Sequence, residues 1–145
     1  MPQMMNDAAF RAYAIACSIL VFKMFAAAIL TASTRARSKQ FINPEDVRVL
    51  GGTGVQEEHP DVQRMLRLHR NDLENILPFF TVALIFVLIG ASAFAAQVYF
   101  YTFTGARIVH TITYVAKLQP WRTVAYVVGV ACMVGMLVQI LMAAL

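Results

Sequence analysis

Four long apolar stretches, each broken from the next by a polar or glycine- and proline-containing turn, set the pattern of this chain. They cover about 10–33, 61–90, 93–117 and 120–145. At 1.5 Å per residue, about 20 helical residues cross a hydrocarbon core of about 30 Å, so the pattern predicts four membrane-spanning helices. The first has one internal charge, Lys23. That lysine either snorkels to an interface or turns inward to an acid on another helix, and both readings stay open. The second opens on Pro60 and Asp61, is polar in its first turns, and is apolar from Leu73 to Ile89. Pro78 lies inside it, which a membrane helix tolerates. The third holds Arg107, His110 and Tyr114 in its C-terminal half, and the fourth has no charge beyond Arg122.

The polar segment 34–61 is the longest break. Arg35, Arg37 and Lys39 form a basic flank at its start. Asn43-Pro44-Glu45-Asp46 reads as a short helix start, with Asn as cap, Pro at the first position and acids in the first turn. Gly51 and Gly52 end that helix. The Gly-Gly-Thr-Gly run lacks the Gly-Lys-Ser/Thr ending of a phosphate loop and reads as a turn.

Composition turns the helix pattern into a class. Of 145 residues, 59% are hydrophobic and 14% charged, too apolar for an ordinary soluble domain of one-domain length. The expectation is an all-α integral membrane four-helix bundle: one transmembrane domain over 1–145, with 34–61 as a cytoplasmic loop. The N-terminus has neither the basic region nor the cleavage site of a secretory leader. Cys17 and Cys132 lie in apolar runs without metal-ligand spacing and read as small buried hydrophobes.

Charge then orients the bundle. The net charge is +4, and nine of the twelve Lys and Arg fall between Arg35 and Lys117. That local excess fits a membrane protein better than a nucleic-acid binder. Four spans put the 34–62 segment and the 117–121 turn on one side, and the uncharged 90–93 turn on the other. By the positive-inside rule the basic side is cytoplasmic.

Candidate chemistry gathers at that end. Arg67, Arg70, Asn71 and Glu74 share one face of the second helix, as Arg107, His110 and Tyr114 do on the third. Excess arginine with one acid and an amide suits a small zwitterion with more than one carboxylate. Arg122 stands near the start of the fourth helix, where the helix dipole favours an anion and would depress the pKa of a bound thiol. Thr123 and Tyr126 lie within one turn as hydrogen-bond donors. His69 and Asp72 fall off the stripe: His69 reads as structural, and Asp72 as a pairing partner between helices or subunits.

Three segments carry a resemblance. Arg-Leu-His-Arg-Asn-Asp-Leu-Glu-Asn-Ile-Leu-Pro-Phe (67–79), Phe-Ile-Asn-Pro-Glu-Asp (41–46) and Gly-Ala-Arg-Ile-Val-His-Thr-Ile-Thr-Tyr (105–114) resemble the MAPEG family of membrane proteins in eicosanoid and glutathione metabolism. The resemblance runs from Lys23 over essentially the whole chain. It implies a homotrimer binding glutathione between subunits at the cytoplasmic end, in a microsomal or a bacterial inner membrane. Carried over by position, the glutathione-binding residues are Arg35, Arg70, Asn71, Glu74, His110, Tyr114, Arg122, Thr123 and Tyr126. Arg122, Thr123 and Tyr126 form the catalytic set. Arg67 and Arg107 support the site, and Asp46 lies near the second substrate. Thr123 stands where the family's prostaglandin-synthesising branch has serine, and the 117–121 turn is one residue shorter than in that branch.

The expected function is glutathione transfer to lipophilic electrophiles, with glutathione peroxidase activity on lipid hydroperoxides. Glutathione is the co-substrate and no metal is called for. Alternatives are a glutathione-dependent prostaglandin E or leukotriene C synthase, and, of another class, a non-catalytic lipid-binding membrane protein.

Overall fold

The structure, a computed structural model, describes residues 7–145; the first six, on which the reading of the N-terminus rests, lie outside it. Five helices and a pair of very short strands follow in the order α1 (Ala8–Ser38), β1 (Gln40–Phe41), α2 (Pro44–Leu50), β2 (Thr53–Gly54), α3 (Pro60–Leu88), α4 (Ala93–Val115) and α5 (Trp121–Ala144). No glycine or proline interrupts the sequence between Ala8 and Ser38, and the Asp7 carboxylate accepts from the Ala9 N–H at 2.8 Å to cap α1. α1 runs five residues past the expected end at 33. Arg35 and Arg37 thus occupy its last turn, where the helix dipole favours cations, instead of an open loop. Lys39, with φ +49°, stops it.

α1, α3 and α5 are each long and apolar enough to cross a membrane. α4 falls short among the described residues, because Gln97, Arg107 and His110 interrupt its apolar run. The chain divides into two compact units. One joins α1 up to Lys23 with Asp72–Leu145; the other is Met24–Asn71.

In the first unit each long helix buries a single seam. Ala9, Ala12, Ala16 and Leu20 form it on α1, and Asp72, Ile76, Phe79, Ala83 and Phe86 on α3. Ala96, Phe100, Phe103, Arg107 and His110 form it on α4, and Ala125, Gly129, Cys132 and Met136 on α5. Steps of three and four keep each seam on one helix face. Aromatic rings fill the middle: Phe79 stacks on Phe103 at 4.2 Å between centroids and meets Phe100 edge-on at 5.8 Å. Such offset or perpendicular pairs add about 0.5–1.5 kcal/mol each beyond their buried area. The opposite faces carry exposed Phe22, Leu88, Phe94, Leu141 and Met142, apolar surface that suits lipid.

The second unit folds the loop back on itself. β1 pairs in parallel with β2, Gln40 opposite Thr53 and Phe41 opposite Gly54, and α2 lies between them in sequence. Two details differ from the expectation. Asn43 is the N-cap of α2 but its side chain makes no cap bond; it donates to the Asp46 carboxylate at 3.2 Å instead. The Gly-Gly-Thr-Gly run is a turn that continues into a strand, because Thr53 N–H reaches Lys39 O at 2.9 Å and Val55 N–H reaches Phe41 O at 3.0 Å. Gly52 makes this closure possible: its φ is +137°, and a Cβ there would lie 2.4 Å from Lys39 O. Gly52→Ala should destabilise the loop by about 1–3 kcal/mol and speed limited proteolysis within 39–56. Gly54→Ala, whose added carbon would meet only Val47 at 3.9 Å, should not. Equal cleavage of the two variants would contradict this account.

Candidate functional site

The junction of α4 and α5 gathers most of the expected chemistry of the first unit. Ala116 closes α4, Lys117 takes φ +61°, and the Gln119–Pro120 bond is cis before α5 begins at Trp121. This tight reversal sets the first turn of α5 beside the last turns of α4. His110 and Tyr114, one turn apart on α4, have ring centroids 5.7 Å apart, and His110 and Tyr126 lie 6.4 Å apart. The Arg122 guanidinium carbon sits 4.9 Å from the centre of the Tyr114 ring, within cation–π range. Four of the expected residues thus form one cluster: a fixed cation at a helix N-terminus, a histidine and two phenols.

Thr123, the fifth, is tied in through a residue that sequence reasoning passed over. Its hydroxyl lies 3.1 Å from the side-chain amide of Gln119. With the amide nitrogen towards Thr123, the Gln119 oxygen accepts from Arg122 Nε at 3.2 Å and from Nη2 at 2.5 Å. The opposite orientation would aim an N–H2 group at a guanidinium, so this is the one the charges select. The available signal was spacing: Gln119 stands three residues before Arg122 and four before Thr123.

Beneath the cluster lies a buried ionic group. Asp72, 0% exposed, accepts from Arg107 Nη2 at 2.8 Å, and the same oxygen pairs with the Lys23 ammonium. Lys23 therefore takes the inward of its two readings, and Asp72 pairs between helices of the same chain. Arg107, 1% exposed, lies one turn before His110 on α4.

The remaining expected residues divide between the units. Glu74 is exposed on α3 in the first. Arg67, Arg70 and Asn71 precede it on the same helix but belong to the second, where both arginines are exposed. Arg35 is held there by Glu58 at 2.5 Å, and Glu58 O accepts from Gln63 Nε2 at 3.0 Å. Asp46 is in the first turn of α2, taking the Asn43 bond described above. His69 is half-buried on α3. Among the described residues no group of three or more His, Cys, Asp or Glu could hold a metal ion.

An apolar groove of about 370 Å³ runs along α4 and α5, lined by Tyr101, Gly105, Val109, Trp121, Val124 and Val128 among others.

Comparison with known proteins gives this arrangement a family. The MAPEG family pattern matches residues 13–142, nearly the whole chain. The chain belongs to the MAPEG family. It is similar to the prostaglandin E synthase of Equus caballus, 40% identical over 138 residues, covering 94% of this chain and 90% of the relative. The human prostaglandin E synthase is 38% identical over 138 residues, with 94% and 91% covered. Human microsomal glutathione S-transferase 1 is 37% identical over 144 residues, with 96% and 93% covered. Family membership and three membrane-capable helices make this MAPEG chain a membrane protein.

Proposed function

We propose that this MAPEG chain is a membrane-bound glutathione transferase that joins glutathione to lipophilic electrophiles and also reduces lipid hydroperoxides with glutathione. One observation carries the reading: Arg122 at the start of α5, stacked on Tyr114 and flanked by His110, Tyr126 and Thr123. A fixed guanidinium at the positive end of a helix stabilises a thiolate over a thiol. Thr123 or Tyr126 supplies the hydroxyl that donates to the sulfur. The thiolate attacks the electrophilic carbon, a carbon–sulfur bond forms, and the leaving group departs with its electron pair.

Arg35, Arg70 and Asn71 with Glu74 hold the rest of the tripeptide: the arginines its carboxylates, Glu74 its ammonium and Asn71 a peptide group. Arg67 and Arg107 support these groups, and Asp46 lies towards the second substrate. The four long helices cross the membrane as one bundle, three copies associate, and glutathione lies between copies at the cytoplasmic end. The source membrane is endoplasmic reticulum or bacterial inner membrane. The apolar groove beside Trp121 supports a lipophilic second substrate.

A second reading draws on the relatives, because prostaglandin E synthases match this chain as closely as a transferase does. In that reading the same thiolate serves an isomerisation and is released unchanged. Detergent-purified protein with glutathione should be assayed on a chlorinated aromatic, a lipid hydroperoxide and a prostaglandin endoperoxide. A glutathione conjugate with the aromatic is the expected product. Turnover of the endoperoxide alone would replace transferase by isomerase, and no glutathione binding in calorimetry would return the chain to a lipid-binding role.

A further inference from the structure

We infer that Gln119 is a positioning residue for the thiolate, fixing both the Arg122 guanidinium and the donor sense of the Thr123 hydroxyl. The inference rests on the reading of Arg122 and Thr123 above. Thr31, Thr34 and Thr113 each donate to the carbonyl four residues back, so their hydroxyl protons are spent inside their own helices. Thr123 stands in the first turn of α5 and instead meets the Gln119 side chain. When Gln119 Nε2 donates to Thr123 Oγ1 at 3.1 Å, the threonine oxygen acts as acceptor. Its own proton is then left to donate outward. A hydroxyl held as a donor stabilises a thiolate and does little for a thiol.

The other end of the amide acts on charge. Gln119 Oε1 takes the Arg122 Nε and one Nη2 hydrogen, and the Tyr114 face supports the guanidinium plane. The guanidinium has five N–H donors, so this leaves the rest of the fork for the ligand. The oxygen is neutral, so it orients the cation without cancelling its charge, as a carboxylate in the same place would. The reversal at Lys117 and the Gln119–Pro120 link place the amide there, outside the helix but within reach of its first turn.

Two variants separate positioning from space filling. Gln119→Ala removes both bonds. Gln119→Glu keeps the volume and the bond from Arg122, but it cannot donate to Thr123 when ionised and it neutralises the guanidinium. Both should lower kcat for conjugation about tenfold, the size of one or two lost hydrogen bonds. KM for glutathione should stay within about twofold, since the tripeptide's other contacts are untouched. The pH at which bound glutathione develops its thiolate absorbance should move upward in both. Gln119→Ala combined with Thr123→Ala should cost less than the two single losses multiplied, because the Gln119–Thr123 bond is lost in both.

Gln119→Ala and Gln119→Glu that both keep the wild-type pH profile and kcat overturn the inference. So does a Gln119→Glu enzyme that matches wild type while Gln119→Ala does not, since that is space filling. Failure of the wider reading looks different: Arg122→Ala would then keep the thiolate, whatever Gln119 does.

Discussion

Asp72→Asn should be the most destabilising single substitution in the membrane-spanning part of this chain. Asp72 is fully buried, and one of its oxygens faces both the Arg107 guanidinium and the Lys23 ammonium. Asparagine removes the anion that both buried cations face, and with it the charge that offsets their desolvation there. Breaking a buried pair in this way costs about 3–5 kcal/mol, a large part of the stability of a chain this size. The group already holds two positive charges against one negative, which fixes the sign of a companion experiment. Lys23→Met removes the surplus cation and leaves a neutral Asp72–Arg107 pair, so it should be tolerated or slightly stabilising. Placed on Asp72→Asn, Lys23→Met should recover part of the loss, since the sites share one oxygen and cannot be additive. Thermal unfolding in detergent reads all three. An Asp72→Asn protein that melts with the wild type, or a Lys23→Met protein that falls as far as Asp72→Asn, would show that the carboxylate is not the anchor.

That group also shows where sequence reasoning reached and where it stopped. A lysine inside an apolar run and an aspartate off the polar stripe were both visible as residues needing partners. Periodicity assigns a face to each but not which helices meet at what depth, so Lys23 kept two readings and Asp72 its choice of helix or subunit. The long helices were legible because nothing within them breaks the helical ladder except Pro78, and membrane-length runs of apolar residues have few alternatives. Their ends were less so. Thr34 to Ser38 look like loop residues, yet the dipole at the end of α1 welcomes Arg35 and Arg37, and the helix continues. The β1–β2 pairing was out of reach for another reason: it depends on Gly52 approaching Lys39 O, a contact between residues thirteen apart with no apolar alternation to announce it.

For the candidate site, residue types at helical spacing picked out His110, Tyr114, Arg122, Thr123 and Tyr126, and the α4–α5 junction brings all five together. Arg107 had been placed with the ligand set as a support; the structure shows it buried against Asp72, one turn before His110 on α4. Gln119 escaped because a Gln-Pro pair before a helix reads as turn chemistry. Only side-chain geometry shows an amide reaching forward to both Arg122 and Thr123.

Arg122→Ala tests the chemistry itself. Glutathione bound to the unmodified protein should show the ultraviolet absorbance of a thiolate near neutral pH, well below where the free tripeptide ionises. Three features of Arg122 combine to produce this: full positive charge, position in the first turn of α5, and contacts with the Tyr114 ring face and the Gln119 amide. Alanine removes the charge and leaves the helix dipole, worth about 0.3–1 kcal/mol, and a hydroxyl donor. The absorbance should vanish at neutral pH, and kcat should fall about 10²–10³-fold, as when a group that stabilises developing anionic charge is lost. Calorimetry should still detect glutathione, because Arg35, Arg70, Asn71 and Glu74 are proposed to hold the rest of the tripeptide. Arg122→Lys is the finer probe. Lysine keeps the charge but not the planar fork, so it cannot stack on Tyr114 in the same way or give Gln119 two hydrogens. It should restore part of the absorbance and little of the rate, separating the field of the cation from its orientation. An Arg122→Ala protein saturated with glutathione that still shows the thiolate would move the chemistry to another cation and remove the basis for roles at Thr123 and Gln119.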